Sequence, residues 1–447
     1  MKTKSRVKAQ TKSDLVDACI TRLKELGSRL PDKRTGQNIR YMLDDIVLGA
    51  FAVFFLQCPS FLARQKALKN RLGRSNAETV FQITQTPCDE HIRQMLDPIA
   101  PHHFYPEFHA LLGAVEARGH LAAYTVLGGQ HLLISLDGTQ YFSSYALECD
   151  HCLHRKRRNG QVQHYHTAIL PVIVAPDNPH VLPVPPEYIV PQDGQVKQDC
   201  ERAASKRWVT QHAAQYAAWN AVLMGDDLYA NQPLCQHILD QHLHFLFVCK
   251  PESHPTLYAA LHTQRAADIT TCTVRKWNGR HSELWTYRFC NALPLRAGDD
   301  ALLVNWCELH ITHLDTGATL YHHTWVTDLL ITEHNLAEMV RCGRAHWKVE
   351  NENNNVLKTK GYHLEHNFGH GHQYLAMTLL TLNLLAFLLH TVTHLTNKIY
   401  RRIRAALGRR AAFFNDLRAL LRYLIFSSWA ELLYFMAVPL EIDPAPD

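Results

Sequence analysis

Three acidic residues that lie far apart in the chain have the clearest potential for chemistry. Asp137 follows the apolar run 131–136, Asp226 follows the apolar run 221–225, and Glu350 lies in a polar stretch with helical character. A carboxylate just past a buried strand is held at the open edge of its sheet, where it can bind a cation. Carboxylates that share divalent metal ions can drive in-line displacement at phosphorus. The pattern therefore favours an enzyme that cuts and joins nucleic acid.

The size and composition of the chain are typical of a globular protein. Its 447 residues favour two or three domains with ample buried core, and 47% hydrophobic with 19% charged residues argues against a disordered chain. The net charge of +5, with histidine neutral, permits a polyanionic partner without requiring one. The sequence contains neither a Gly-x-Ser-x-Gly nor a Gly-x4-Gly-Lys-[Ser/Thr] motif, so a serine hydrolase and a Walker phosphate loop are not indicated.

Two features bear on compartment and membrane. The 12 cysteines follow no regular spacing, and the basic N-terminus lacks the apolar core of a signal peptide, so we expect reduced thiols in the cytoplasm. The apolar run 375–389 is shorter than the roughly 20 residues that span a bilayer, and it contains Asn383. It predicts a buried core helix and no membrane partner.

The hydrophobic pattern changes twice along the chain. Residues 13–119 read as helical, and 44–56 as a core helix. An alternation of strands and helices follows, which predicts an α/β layer with parallel strands at its centre. Its strands are expected at 132–136, 165–175, 220–225 and 245–249, with helices at 199–218 and 232–241. Because Pro171 lies within the second strand, we expect an edge position or a bulge there.

A block rich in short antiparallel strands separates the second and third acids. Four strands are expected, and Asn278-Gly279 predicts a hairpin between the first two. Helices resume at Glu333 and continue to about Phe435. The four expected strands are 271–277, 283–289, 301–306 and 319–326.

The segments around the three acids resemble a known family. Residues 136–140 (Leu-Asp-Gly-Thr-Gln), 223–229 (Leu-Met-Gly-Asp-Asp-Leu-Tyr) and 346–351 (His-Trp-Lys-Val-Glu-Asn) are similar to the DDE transposases of bacterial insertion sequences. The resemblance is to the branch with a β-rich insertion between the second Asp and the Glu. It extends to residues 192–201, 245–251 and 366–371, and covers most of the chain from about 35 to 395.

That resemblance implies an RNase H-like catalytic core. It implies that Asp137, Asp226 and Glu350 are the catalytic residues and bind two Mg²⁺ ions, with Mn²⁺ as a substitute. The reaction would be cleavage at the element's ends followed by strand transfer into target DNA. Double-stranded DNA is the expected partner, bound as terminal inverted repeats and as target by a homodimer associated with the bacterial nucleoid.

The expected fold class is therefore α/β, with an RNase H-like core interrupted by an antiparallel β insertion and flanked by helical N- and C-terminal regions. The expected domains are a helical N-terminal DNA-binding region (1–120), the first part of the core (121–251), the β-rich insertion (252–333), the helical remainder of the core carrying the catalytic Glu (334–395), and a helical C-terminal region with an acidic tail (396–447).

For two of the three acids, a second acidic residue nearby in the sequence is an alternative candidate. Asp227 is adjacent to Asp226, and neighbours on a strand point to opposite faces, so only one should bind metal. The family pattern places a Tyr three residues after the second acid, and Tyr229 fits Asp226. Glu352 is the rival of Glu350, and on a helix the two lie about 200° apart.

Basic residues near the third acid depart from the family pattern. The Tyr and Arg that often precede the catalytic Glu by seven and four positions would fall here on Gly343 and His346. Other basic residues are DNA-binding candidates, with an exposed, solvated surface as the alternative. The candidates are Arg344, Lys348, Lys358, and the cluster Arg155, Lys156, Arg157 and Arg158.

Two glycines lie next to the first two acids. Gly138 and Gly225 would let a substrate backbone approach the acids closely.

A possible zinc clip lies between the first two acids. Cys149 and Cys152 have the two-residue gap of a zinc knuckle, and zinc in a structural site needs four N or S ligands. Two histidines could complete the set, and reduced cysteines without metal are the alternative. The nearby histidines are His151, His154, His164 and His166.

Two functions compete with that of a transposase. A metal-dependent nuclease would have the same core without the strand-transfer step. A DNA-binding protein derived from such an enzyme would have lost catalysis, although all three acids are present in the sequence.

Overall fold

The computed structural model describes residues 15–36, 39–68, 75–191, 201–263 and 268–443. The chain forms two compact units. The first, here called the helical unit, combines residues 1–118 with 357–447; the second, the α/β unit, is continuous from Gly119 to Val356. The predicted start of the helix at 199–218 and the end of the acidic tail lie outside the described residues.

The N-terminal part of the helical unit is built around an apolar helix. Residues 43–55 are almost all buried, so the predicted core helix is confirmed. The buried Asp45 carboxylate accepts hydrogen bonds from the backbone N–H groups of Thr84 and Gln85, which satisfies its charge inside the core. The helices are α1 (Leu15–Arg29), α2 (Leu43–Phe55), α3 (Phe61–Ala67), α4 (Asn76–Phe81), α5 (Asp89–Leu96) and α6 (Tyr105–Ala117), with a 3-10 turn at Pro101–Phe104.

The α/β unit contains 14 strands among the described residues, and they begin after a 3-10 turn at His120–Tyr124. The predicted alternation is confirmed. The strands are β1 (Thr125–Val126), β2 (His131–Ser135), β3 (Gly138–Ser144), β4 (Leu153–Lys156), β5 (Val162–Ile169), β6 (Val172–Ala175), β7 (Asn178–Pro183), β8 (Glu187–Ile189), β9 (Val222–Gly225), β10 (His244–Val248), β11 (Thr270–Trp277), β12 (Ser282–Pro294), β13 (Leu303–His313) and β14 (Thr319–Thr327). Its helices are α7 (Glu201–Ala217), α8 (Gln232–Asp240), α9 (Pro255–Thr263) and α10 (Leu336–Arg344), followed by a π-helix at Val349–Asn354.

The larger sheet places β2 between β6 and β9. In space the strands run β7-β6-β2-β9-β10, with β9 parallel to β2 and to β10, and with β6 antiparallel to β2 and to β7. The predicted β block continues the same sheet, because β14 pairs antiparallel with β10 and leads outward through β13 and β12 to β11. The hairpin predicted at Asn278-Gly279 joins β11 and β12.

The strand predicted at 165–175 is two strands in different sheets. β5 belongs to a smaller sheet of order β3-β5-β4, in which β8 also pairs with β5, whereas β6 pairs with β2 in the larger sheet. The break falls at Leu170-Pro171, where proline has no N–H to continue a ladder. The chain leaves the larger sheet after β2 and returns to it at β6, so β3, β4 and β5 form an excursion that begins right after Asp137.

The C-terminal helices complete the helical unit. α12 packs against α2 and α6, and its Asn383 side-chain amide donates to the carbonyl of Tyr362 at 2.9 Å. The core was expected to extend to residue 395, whereas the residues after Val356 lie in the helical unit. The helices are α11 (Asn355–Thr359), α12 (Leu375–Thr396), α13 (Lys398–Ala406), α14 (Arg410–Tyr423) and α15 (Trp429–Ala437), then a 3-10 turn at Val438–Leu440.

Among the described residues, α12 alone is long and apolar enough to cross a membrane by length and composition. The same helix is 94% buried within the protein over its most apolar stretch. Its environment is that of the core helix which the sequence predicted.

Candidate active site

Asp137 and Asp226 follow neighbouring parallel strands at the same level. Leu133, Ile134 and Ser135 of β2 pair with Val222, Leu223 and Met224 of β9. The backbone N–H of Leu136 continues the ladder by donating to the carbonyl of Met224 at 2.8 Å. The offset between partners is 89 residues (222 − 133), the same as between the two acids (226 − 137). Because adjacent strands are about 4.8 Å apart, the two acids lie side by side.

Glu350 reaches this site from a π-helix that packs against β6 and β7. The helical character that the sequence indicated here is confirmed, and residues 349–354 have i→i+5 geometry, a feature common at functional sites. Asn354, four residues after Glu350 on the same side of the helix, donates from Nδ2 to Asp137 Oδ2 at 2.8 Å.

A fourth carboxylate, Glu201, completes the cluster, and sequence analysis missed it. It lies at the first described residue of α7, and its Oε2 accepts a hydrogen bond from the Tyr229 hydroxyl at 3.3 Å. A Cβ on Gly138 would lie 2.3 Å from Glu201 Oε1, so only glycine leaves room for this side chain. A Cβ on Gly225 would lie 2.7 Å from the ring of Tyr229.

These two glycines were expected to admit a substrate backbone, and that expectation is wrong. The side chains of Glu201 and Tyr229 take the space beside them. In the sequence, a glycine stands next to each aspartate. These glycines leave room for the protein's own side chains to approach the backbone closely.

The pKa values of three carboxyl groups in the cluster are raised. The pKa of Asp137 rises from 3.8 to about 7, first because the carboxyl is buried and then because the negative charges of Glu201, Asp226 and Glu350 lie close. Burial also raises the pKa of Glu201, with Asp226 adding to the effect. Burial raises the pKa of Asp226, while the Leu228 N–H and Lys250 partly oppose that rise. Carboxylates held together in this way attract cations.

The two rival acids have other partners in the structure. Asp227 Oδ1 accepts the backbone N–H of Lys250 at 2.6 Å and lies 3.3 Å from His254 Nδ1. Glu352 interacts electrostatically with Lys348, whereas Glu350 interacts with Asp137. Asp226 and Glu350 are therefore the members of each pair that the structure brings to Asp137.

The departure from the family pattern before Glu350 has a packing explanation. A Cβ on Gly343 would lie 2.6 Å from the indole nitrogen of Trp325, so a tyrosine does not fit there. His346 shares a 2.6 Å hydrogen bond between Nδ1 and Ser135 Oγ. Burial, with His323 nearby, lowers the pKa of His346 to about 4, so this imidazole is neutral and binds the end of β2.

Two basic residues near Glu350 are engaged within the α/β unit. The Arg344 guanidinium lies 5.3 Å from the ring centre of Trp285 and 4.8 Å from that of Tyr321, which attaches α10 to the β-rich block. Lys348 is 5% exposed, and its Nζ donates to the carbonyl of Asn178 at 2.6 Å. A buried ammonium with a backbone partner is poorly placed for a phosphate, so Lys348 acts as a packing residue in this conformation.

The cluster Arg155–Arg158 lies at the tip of the β4–β5 hairpin. Arg155 donates to the side-chain oxygens of Gln163 and Gln140, each at 2.8 Å, and Arg157 also donates to Gln163. Lys156 and Arg158 are exposed. Lys358 lies in the helical unit and pairs with Glu365 at 3.2 Å. The tip of this hairpin, which is part of the excursion, therefore presents Lys156 and Arg158 to solvent.

Cys149 and Cys152 lie in the loop between β3 and β4, and both Sγ atoms face His166 of β5. The loop is followed by a hairpin formed by β4 and β5. Of the four nearby histidines, His166 is the one that this loop contacts through both cysteines.

Comparison with known proteins adds little to this site. No protein-family model matches the chain, and no curated protein matches it either. Among solved structures, the chain is similar to a piggyBac transposase determined by cryo-electron microscopy in a synaptic complex with hairpin DNA. The similarity covers 97% of this chain and 84% of that one, at 10% identity and a TM-score of 0.37. A TM-score of this size assigns neither fold nor function.

Proposed function

We propose that this protein is a DNA transposase that cleaves the ends of its element and transfers them to target DNA. The observation that carries the proposal is the side-by-side position of Asp137 and Asp226 past two parallel strands, with Glu350 and Glu201 close enough to raise the pKa of Asp137. Acids from four distant segments converge on one sheet edge, which is the arrangement that phosphoryl transfer with divalent metals requires.

The sheet supports an RNase H-like core. Such a core has three antiparallel strands followed by two that run parallel to the first, and β2, β6, β7, β9 and β10 have this order and these directions. The resemblance of the sequence around the three acids points to the same core.

The donor set fits Mg²⁺. Four carboxylates offer hard oxygen ligands, the type that Mg²⁺ and Mn²⁺ prefer. Asp137 and Asp226 would hold the ions, with Glu350 and Glu201 as further ligands. When bound, Mg²⁺ would supply charge stabilisation to the attacking and leaving oxygens of an in-line displacement.

The remaining residues act as supports for the acids. Asn354 orients the Asp137 carboxylate through its amide, and Tyr229 does the same for Glu201 through its hydroxyl. Ser135 and the neutral His346 connect the end of β2 to the helical segment that leads to Glu350. Such fixed supports keep ligands in position as substrate enters.

The proposed substrate is double-stranded DNA, bound by a homodimer so that two element ends are processed together. The exposed Lys156 and Arg158 at the β4–β5 tip would contact backbone phosphates, which adds affinity without sequence preference.

The test uses the full chain and a supercoiled plasmid that carries its gene with native flanking DNA, in Mg²⁺. Excised or joined products that map to the flanks are expected. Asp137→Asn, Asp226→Asn and Glu350→Gln should each abolish them while end binding persists, and Asp227→Asn and Glu352→Gln are matched controls. Cleavage without joining would replace the proposal with a nuclease, and binding without cleavage would indicate a non-catalytic DNA-binding protein.

A further inference from the structure

A second cluster of metal-binding side chains lies in the excursion, apart from the acidic site. Cys149 Sγ and Cys152 Sγ are 3.8 Å apart, and His166 Nε2 is 3.5 Å from the first and 3.4 Å from the second. The two cysteines form no disulfide, whose sulfur atoms would be about 2.05 Å apart. Three soft or borderline donors therefore face one another at nearly equal distances.

These distances are those of a tetrahedral zinc site. Zn–S bonds of about 2.3 Å and Zn–N bonds of about 2.0 Å, opened to the tetrahedral angle, separate two sulfurs by about 3.8 Å and a sulfur and a nitrogen by about 3.5 Å. All three measured separations agree with these values to within about 0.2 Å. A single ion can therefore contact all three atoms without any movement of the backbone.

The elements around the cluster hold it in place. Cys152 and His166 are fully buried, and Cys149 is half-buried. The His166 ring lies 5.6 Å from the ring of Tyr141 at a near-parallel angle, which fixes its orientation. The backbone N–H of Cys152 donates to the carbonyl of Cys149 at 3.0 Å, which closes the tight turn between the two thiols.

We propose that Cys149, Cys152 and His166 bind one structural Zn²⁺ ion, which attaches the β3–β4 loop to β5. The fourth ligand of the ion is a further side chain or a water molecule. Zinc at this position ties together the sheet that starts one residue after Asp137 and carries the basic tip at Lys156 and Arg158. The ion stabilises the excursion and takes no part in phosphoryl transfer.

The first experiment measures metal in the purified full-length protein by mass spectrometry, without DNA. About one zinc per chain is expected in the wild type and less than about a tenth of that in Cys152→Ser and His166→Ala. Cys272→Ser, at another half-buried cysteine of the same unit, is the matched control and should keep its zinc. The double variant Asp137→Asn, Asp226→Asn should also keep it, which separates this site from the acidic cluster.

A second measurement guards against variants that misfold. Cobalt added to the metal-free wild type should give the thiolate-to-metal absorption and the intense visible bands of a tetrahedral site with two sulfurs. Cys149→Ser, at the half-buried position, should retain one thiolate and lose about half of the charge-transfer intensity. Wild-type protein without bound zinc or these cobalt bands, or zinc retained in both Cys152→Ser and His166→Ala, would overturn the proposal.

Discussion

Burial of the Asp137 carboxyl, with the negative charges of its neighbours, should make the metal-free protein less stable as pH rises. Its pKa lies at about 7 in the folded protein and near 3.9 in an unfolded chain. Because the folded state prefers the protonated carboxyl, its stabilising contribution is fully present below about pH 4 and is lost as pH rises through 7. The shift of about 3 units corresponds to about 4 kcal/mol at pH 8, of which roughly 3 kcal/mol is lost between pH 5 and pH 8.

The assay compares wild type with Asp137→Asn by urea unfolding in the presence of a chelator. The variant has no charge at this position, and its side-chain oxygen can still accept the hydrogen bond from Asn354. The wild type should lose about 3 kcal/mol of unfolding free energy relative to the variant between pH 5 and pH 8. Taking the difference at each pH removes the titration of distant groups that both proteins share.

Added Mg²⁺ should reverse the loss. At pH 8 the ion binds the folded wild type and raises its stability with concentration, whereas Asp137→Asn should respond much less. If the two proteins changed in parallel with pH, the pKa of Asp137 would not be raised by burial and by the charges of its neighbours. If Mg²⁺ stabilised both equally, the cluster would not be the place where the metal binds.

Further perturbations test single contacts. Glu201→Gln should slow DNA cleavage in Mg²⁺ at least about tenfold while leaving DNA binding intact in a mobility assay. Gly138→Ala should displace Glu201 and reduce cleavage similarly, and in a double-mutant cycle its cost in stability should shrink when Glu201→Ala is also present. Asn354→Ala removes the hydrogen-bond donor of Asp137 and should lower the free energy of unfolding in urea by about 1 kcal/mol. Lys156→Ala with Arg158→Ala should weaken DNA binding and reduce the slope of log affinity against log salt by about 2.

The two strand-end acids could be predicted because the signal is local. An apolar run followed by Asp137 or Asp226 shows where a buried strand ends, and two parallel strands present such ends at one edge. Their separation of 89 residues became informative only with the register of β2 against β9, which sequence periodicity does not determine.

Glu201 could not be predicted because its role depends on tertiary packing. It lies in a helical pattern with no apolar strand before it, and in the sequence it resembles any exposed acid at a helix start. Only the folded chain places it against Gly138 and under the Tyr229 hydroxyl. The choice of His166 among four histidines has the same origin, since it follows from which residues of β5 face the cysteine loop.

The roles of the basic residues depended most on the structure. Arg344 and Lys348 read as cations beside a catalytic glutamate, but one stacks on aromatic rings and the other is buried against a carbonyl. Composition and spacing identify a charge, while its availability to a phosphate is decided by neighbours that are distant in sequence.

Exchange of one carboxylate for a thiolate tests the central claim most directly. A thiolate is a poor ligand for Mg²⁺ and a better one for softer ions such as Mn²⁺. Asp226→Cys should therefore fail to cleave plasmid DNA in Mg²⁺ and regain cleavage in Mn²⁺, whereas Asp227→Cys should be as active as wild type in both. Wild-type rates of Asp226→Cys in Mg²⁺, or equal inactivity of the folded variant in the two metals, would contradict the role of this cluster as the metal site.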